Sequence, residues 1–178
     1  MSGHNKWSKI KHKKAATDAA KSKVFGKMAK LIAIESKKAN GDITSPGLRA
    51  AIESAKGVSM PKDNIDRAVA KGSSEETASL ESILYEMYGP GGTAVLIDIL
   101  TDNRNRTAAE IRHLLSKLGG YELATPGSAA WAFTQHAAGG YEANSTVEIS
   151  DEDGEKLGAL MEALDEHDDV QDVYTNAA

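Results

Sequence analysis

The hydrophobic period of this chain is purely helical as far as Gly72 and mixed beyond it, and that division limits what it can fold into. As far as Gly72 the apolar residues recur at three- and four-residue spacing, as in helices that bury one face. From Leu80 onward, two short runs rich in Ile, Leu, Val and Tyr flank Gly89-Pro90-Gly91-Gly92, the pattern of paired strands with a tight connection. A purely helical or purely β architecture is excluded.

The first part reads as an irregular arm and three helices. Gly3, Asn5 and Ser8 interrupt any helical period, and Ala15, Ala16, Ala19 and Ala20 then favour helix. Val24, Phe25, Met28, Leu31 and Ile32 share one face of a long helix that Asn40-Gly41 should stop. Pro46 opens a second helix, with Leu48, Ala51, Ile52 and Ala55 inward and Gly57 at its end. Pro61 and Asp63 belong to the first turn of a third, with Ile65, Ala68 and Val69 inward. Ser73 to Thr77 is the expected linker.

Beyond it the pattern predicts strands over Leu80 to Tyr88 and Thr93 to Leu100, then a loop from Thr101 to Arg106. A helix over Thr107 to Leu118 follows, then a strand over Ser128 to Thr134. An acidic helix over Asp151 to His167 and a strand over Val170 to Tyr174 end the chain. This order, ββα-β-αβ, predicts an α+β fold. Residues 1–74 would form a basic arm and a three-helix module. Residues 78–178 would form a mixed or antiparallel sheet with helices on one face.

Charge follows the same division. Residues 1–72 carry 16 Lys and Arg against 6 Asp and Glu, a net +10, and residues 73–178 carry 5 against 20, a net −15. A basic module on an acidic body points to a polyanionic partner. The arm holds Lys6, Trp7, Lys9, Lys11, His12, Lys13 and Lys14, and Lys21, Lys23, Lys27 and Lys30 continue the basic character along the first helix. Lysines donate to phosphate as flexible point charges. Trp7 either stacks on an exposed base or anchors the arm to the helices. Ile34 lies near the lysine stripe rather than on the apolar face, which suggests contact with a partner protein.

A second candidate surface is Asn103, Arg104, Asn105 and Arg106, just ahead of a helix whose N-terminus would favour phosphate. The competing reading is local capping, with Asn105 or Thr107 satisfying backbone N–H groups and Asp102 paired to an arginine. Nothing identifies a catalytic nucleophile and base, so an enzyme is not expected. The glycine turn at residues 89–92 lacks the Lys-Ser/Thr pair of a phosphate loop. Ser59 and Lys62 have the Ser-x-x-Lys spacing without its companion motifs. Glu81, Glu86 and Asp98 could pair across the hairpin. His167, Asp168 and Asp169 are the only metal-like grouping, with no second ligand cluster, so neither metal nor cofactor is expected. The chain has no cysteine, which excludes disulfides and thiolate zinc sites. No run is long and apolar enough for a membrane span. A cytoplasmic factor without a small-molecule substrate is the expectation.

Three stretches carry a family resemblance. SGHNKWSKIKHKKAA from Ser2, followed by KVFGK from Lys23, resembles the opening of the YebC/PmpR family, which includes a mitochondrial translational activator. YEMYGPGGTA from Tyr85 with LTDNRNRT from Leu100, and DDVQDVYTN from Asp168, resemble two later signatures of that family. The resemblance implies a helical N-terminal domain followed by α/β domains. It implies either DNA binding as a transcriptional regulator, or action on the ribosome through ribosomal RNA, easing translation of difficult stretches such as proline runs. It assigns binding to the arm from Gly3 to Lys14 and to Asn103–Arg106. Family members usually insert a further domain where this chain has only HAAGGYEAN, residues 136–144, so that domain is expected to be absent.

Overall fold

The computed structural model describes residues 18–72, 74, 77, 79–137 and 139–178. Lys6, Trp7, Lys9, Lys11, His12, Lys13 and Lys14 therefore lie outside the described residues, as do Ser73, Glu75 and Glu76 of the expected linker.

Helix α1 spans Asp18–Lys38, α2 Pro46–Gly57 and α3 Lys62–Lys71. Ile32, Leu48, Ala51, Ala55, Ile65 and Ala68 form their shared core, closed by Phe25, Met28 and Leu31. The end of α1 is built as expected. Asn40 turns left-handed at φ 51°. Its N–H reaches Lys37 O at 3.3 Å and the Gly41 N–H reaches Ser36 O at 2.9 Å, which satisfies two terminal carbonyls. Gly72, at the end of α3, lies directly on α1. A Cβ there would stand 2.4 Å from Ser36 Cβ and 2.7 Å from Ala33 O. The close approach lets Ser36 Oγ donate to Val69 O at 2.7 Å.

The second part runs β1 (Glu81–Tyr88), β2 (Ala94–Thr101), α4 (Arg104–Gly119), β3 (Leu123–Ala124), β4 (Phe133–Gln135), β5 (Tyr141–Ala143), α5 (Asp151–Asp165) and β6 (Val170–Thr175). Four strands form an antiparallel sheet in the order β3-β1-β2-β6, and β4 and β5 form a separate hairpin. Val95, Ile97 and Ile99 of β2 pack with Ile111 and Leu115 of α4 and Leu157, Leu160 and Leu164 of α5. Ala94 and Leu96 pack on the opposite face against Ala129, Ala132 and Phe133. Because β2 is covered on both faces, it reads as a nearly unbroken apolar run. The α+β fold follows the expectation, with α4 and α5 on one face of the sheet.

The details differ where elements are short or capped. The expected strand over Ser128 to Thr134 is a turn of 3-10 helix at Ala130–Ala132 followed by β4. The buried Glu86 carboxylate shapes this turn by accepting the N–H groups of Gly127, Ala129 and Ala130 at 2.7, 2.8 and 2.8 Å. The expected loop over residues 136–144 contains β5, and β3 was not anticipated. Helix α5 stops at Asp165, before His167. Glu81, Glu86 and Asp98 do not pair across the hairpin: they stand opposite Thr101, Leu96 and Leu84. Ile34, expected near a partner contact, is buried within the chain. No helix among the described residues is long and apolar enough to cross a membrane.

Candidate nucleic-acid interface

Helix α4 starts earlier than its sequence suggests, and this changes what its first residues can do. Asn103 is the N-cap: its side chain accepts the Arg106 N–H at 3.1 Å. Arg104, Asn105 and Arg106 therefore form the first helical turn instead of a loop. Arg104 and Asn105 are exposed. Arg106 turns back to Asp102 at 3.1 Å and to Asp169 at 2.7 Å. The cap is thus Asn103 and not the expected Asn105 or Thr107, while the expected pairing of Asp102 with an arginine is made by Arg106, and Arg104 and Asn105 stay open to solvent.

Asp169 is the hub of this corner. Its buried carboxylate accepts Lys30 Nζ, Arg106 Nη2 and Thr107 Oγ1, each at 2.7 Å, and Thr101 Oγ1 at 3.3 Å. Burial alone would raise this carboxyl. The hydrogen bonds from Lys30, Thr107 and Arg106 outweigh that effect and hold it well below the usual carboxylate range. The same contact raises Arg106 further.

The lysine stripe of α1 faces the same acidic corner. Lys23 Nζ donates to Glu166 O. Lys27, only 8% exposed, donates to Asp165 O at 2.6 Å and to its carboxylate at 3.1 Å. Lys30 also donates to Asp168 O at 3.1 Å. Farther along, Lys37 donates to Thr77 O at 3.0 Å. The lysines thus meet the carbonyl end of α5, where the helix dipole favours cations. Lys21, near the start of α1, is exposed.

Between the helices and the sheet lies an open cleft of about 1030 Å3. Its helical wall carries Phe25 and Ala29, and its other wall carries Glu110, His167 and Asp169. Ligand atoms of these last three lie within 4.8 Å of one another, close enough to suggest a metal centre. Their partners argue against one. His167 Nδ1 accepts the Asp169 N–H at 3.2 Å, so Nε2 carries the proton toward Glu110 at 3.0 Å. Lys30 and Arg106 occupy the Asp169 carboxylate.

Two features had no signal in the sequence pattern. Trp131 is 60% exposed beside Tyr88 on the turn that Glu86 holds. Asp98 stands directly across from Asp172 in the β2–β6 register. Burial, then the charge of Asp172, push its carboxyl up to about 6.

The chain matches the family model for the TACO1/YebC protein N-terminal domain over residues 5–75. It matches the model for the TACO1/YebC second and third domain over residues 80–138 and 134–177. A probable transcriptional regulatory protein of Petrotoga mobilis is 45% identical over 185 residues, covering 98% of this chain and 70% of the relative. One from Desulfatibacillum aliphaticivorans is 39% identical over 238 residues, covering 99% of this chain and 96% of the relative. That alignment is longer than this 178-residue chain, so the relative carries segments with no counterpart here. A crystal structure of a conserved hypothetical protein from Aquifex aeolicus superimposes with a TM-score of 0.85 at 30% identity, over 98% of this chain and 97% of that one.

Proposed function

The chain belongs to the TACO1/YebC family, and from that premise we propose that it is a DNA-binding transcriptional regulator that grips phosphate through its basic N-terminal arm. One observation carries the reading: the net +10 of residues 1–72 against the net −15 of residues 73–178. Such a division lets one end of the molecule bind a polyanion while the other is repelled by it. The relatives' names as probable transcriptional regulatory proteins support the same role. The proposed contacts are Lys6, Trp7, Lys9, Lys11, His12, Lys13 and Lys14, joined by the exposed Lys21, Arg104 and Asn105. We assign no catalytic step to the chain. In our reading the further domain of longer members would insert near residues 136–144, and without it the arm is the principal contact surface.

The test is crosslinking in cells followed by sequencing of the attached DNA and RNA. Enriched promoter DNA is the expected result. Enriched ribosomal RNA without promoter DNA would reject this reading in favour of a ribosome-bound translation factor. In solution, an arm that neutralises about six phosphates on duplex DNA gives a log-log salt slope of roughly −5. Converting Lys9, Lys11, Lys13 and Lys14 to Glu should abolish binding and leave the circular dichroism spectrum unchanged. Undiminished binding by that variant would move the site to Arg104 and its neighbours.

A further inference from the structure

Among the described residues the buried apolar clusters of the two parts are separate. One core cluster draws only on α1, α2, α3 and their connections, and the other two draw only on residues beyond Leu80. The hydrogen bonds that cross the junction come from lysines. Lys23, Lys27 and Lys30 of α1 contact Asp165, Glu166, Asp168 and Asp169, and the open cleft runs alongside them. The acidic corner presents to α1 a row of carbonyl and carboxylate oxygens that accept lysine N–H groups, as phosphate oxygens do.

We infer that this corner is an internal stand-in for a polyanion. It holds the lysine stripe of α1 in a docked state, and a bound polyanion displaces it and opens the junction. The inference rests on the proposed role in nucleic-acid binding for its physiological ligand. The same three lysines cannot serve both partners at once. Lys27 is almost wholly covered, so a phosphate can reach it only after Asp165 withdraws. Docking and binding along the stripe are therefore mutually exclusive, and each weakens the other by the same factor. In the proposed role the arm supplies phosphate contacts of its own. The stripe adds its contacts only after the acidic corner has been released.

The chain has no cysteine, so two can be introduced cleanly. Ser54→Cys on α2 and Ser116→Cys on α4 are both exposed and lie on opposite sides of the junction. With spin labels at these positions, the distance distribution should show one docked population at low salt. Adding a short DNA duplex, or inorganic polyphosphate as a generic polyanion, should produce a longer-distance population. In the Asp165→Asn variant the open population should grow without ligand, and polyanion affinity should rise by roughly fivefold or more. Asp165 is partly exposed, so this variant is expected to fold, and its melting curve checks that.

Opening by polyphosphate with no response to DNA supports the docked switch and counts against the proposed DNA role. DNA binding with an unchanged distance distribution overturns the switch and leaves that role standing. A junction that neither polyanion opens, or an Asp165→Asn variant that binds no tighter, also overturns it.

Discussion

Two carboxylates meet the β2–β6 strand pair, and their surroundings differ. Asp169 sits at the end where β6 begins, its backbone carbonyl accepting the Leu100 N–H at 2.8 Å. Asp98 lies in the middle of the pair, facing Asp172 across the register. Burial disfavours the charged form of each. Asp169 has two cations and two hydroxyls around it and is held strongly ionised. Asp98 has a second carboxylate across the strand, only partly offset by Lys38, and is pushed up to about 6. Burial raises both carboxyls, and the partners decide the sign of the net shift. One carboxylate ties elements together, and the other strains the strands that carry it.

The largest test removes the tie. Asp169→Ala leaves Lys30 and Arg106 facing each other without their shared anion. Lys30 and Arg106 are partly exposed and regain water, but their hydrogen bonds to the carboxylate and those of Thr101 and Thr107 are lost, at a cost of about 3 kcal/mol, so thermal unfolding should shift markedly downward. If Asp169→Ala melts with the parent chain, the network contributes nothing and the comparison collapses.

Relieving the strain works in the opposite direction. The folded Asp98 carboxyl lies above its unfolded value, so the folded state binds the extra proton. Its contribution is most favourable below about pH 4 and is lost as pH rises to about 6. Asp98→Asn should therefore stabilise the chain by up to about 2 kcal/mol at neutral pH, with the gain vanishing near pH 4. Asp169 slopes the other way: its stabilisation is present above the usual carboxylate range and is lost as acid approaches its depressed value. Denaturant titrations of both variants across pH should give slopes of opposite sign.

Glu86 gives the smallest effect and sharpens the contrast, because its partners are neutral. Burial would raise its carboxyl, but the three backbone N–H groups outweigh that and lower it. Glu86→Gln keeps the shape but turns one acceptor oxygen into a donor facing backbone N–H, at a cost of at least about 1 kcal/mol. Hydrogen exchange should quicken at Gly127, Ala129 and Ala130 in particular. Unchanged exchange there would mean the turn stands without its carboxylate.

Legibility in the sequence followed element length and the range of the contacts involved. The ends of α1, α2 and α3 were readable because Asn40, Pro46 and Pro61 act within a residue or two of themselves. Strands β1 and β2 were readable because eight residues are enough to show a period. Strands β3, β4 and β5 have two or three residues each, too few for any period to appear. The start of α4 was misplaced because Asn105 and Thr107 are as good caps by composition as Asn103, whose own N–H is held by Thr101 Oγ1 at 3.0 Å. The lysines of α1 were recognised as a stripe. Their occupant was not, since Asp165 and Asp169 lie more than 130 positions away.

The exposed indole of Trp131 has an optical consequence. Its N–H donates to the Tyr88 hydroxyl at 3.1 Å while its ring meets water. Emission from this site should be long in wavelength and open to collisional quenching. The chain has only two tryptophans, so Trp131→Phe makes Trp7 the sole indole, excited apart from the tyrosines at the red edge of the absorption band. The arm then carries its own fluorophore, and the colour and anisotropy of that single indole report whether Trp7 meets solvent, the helices or a nucleobase.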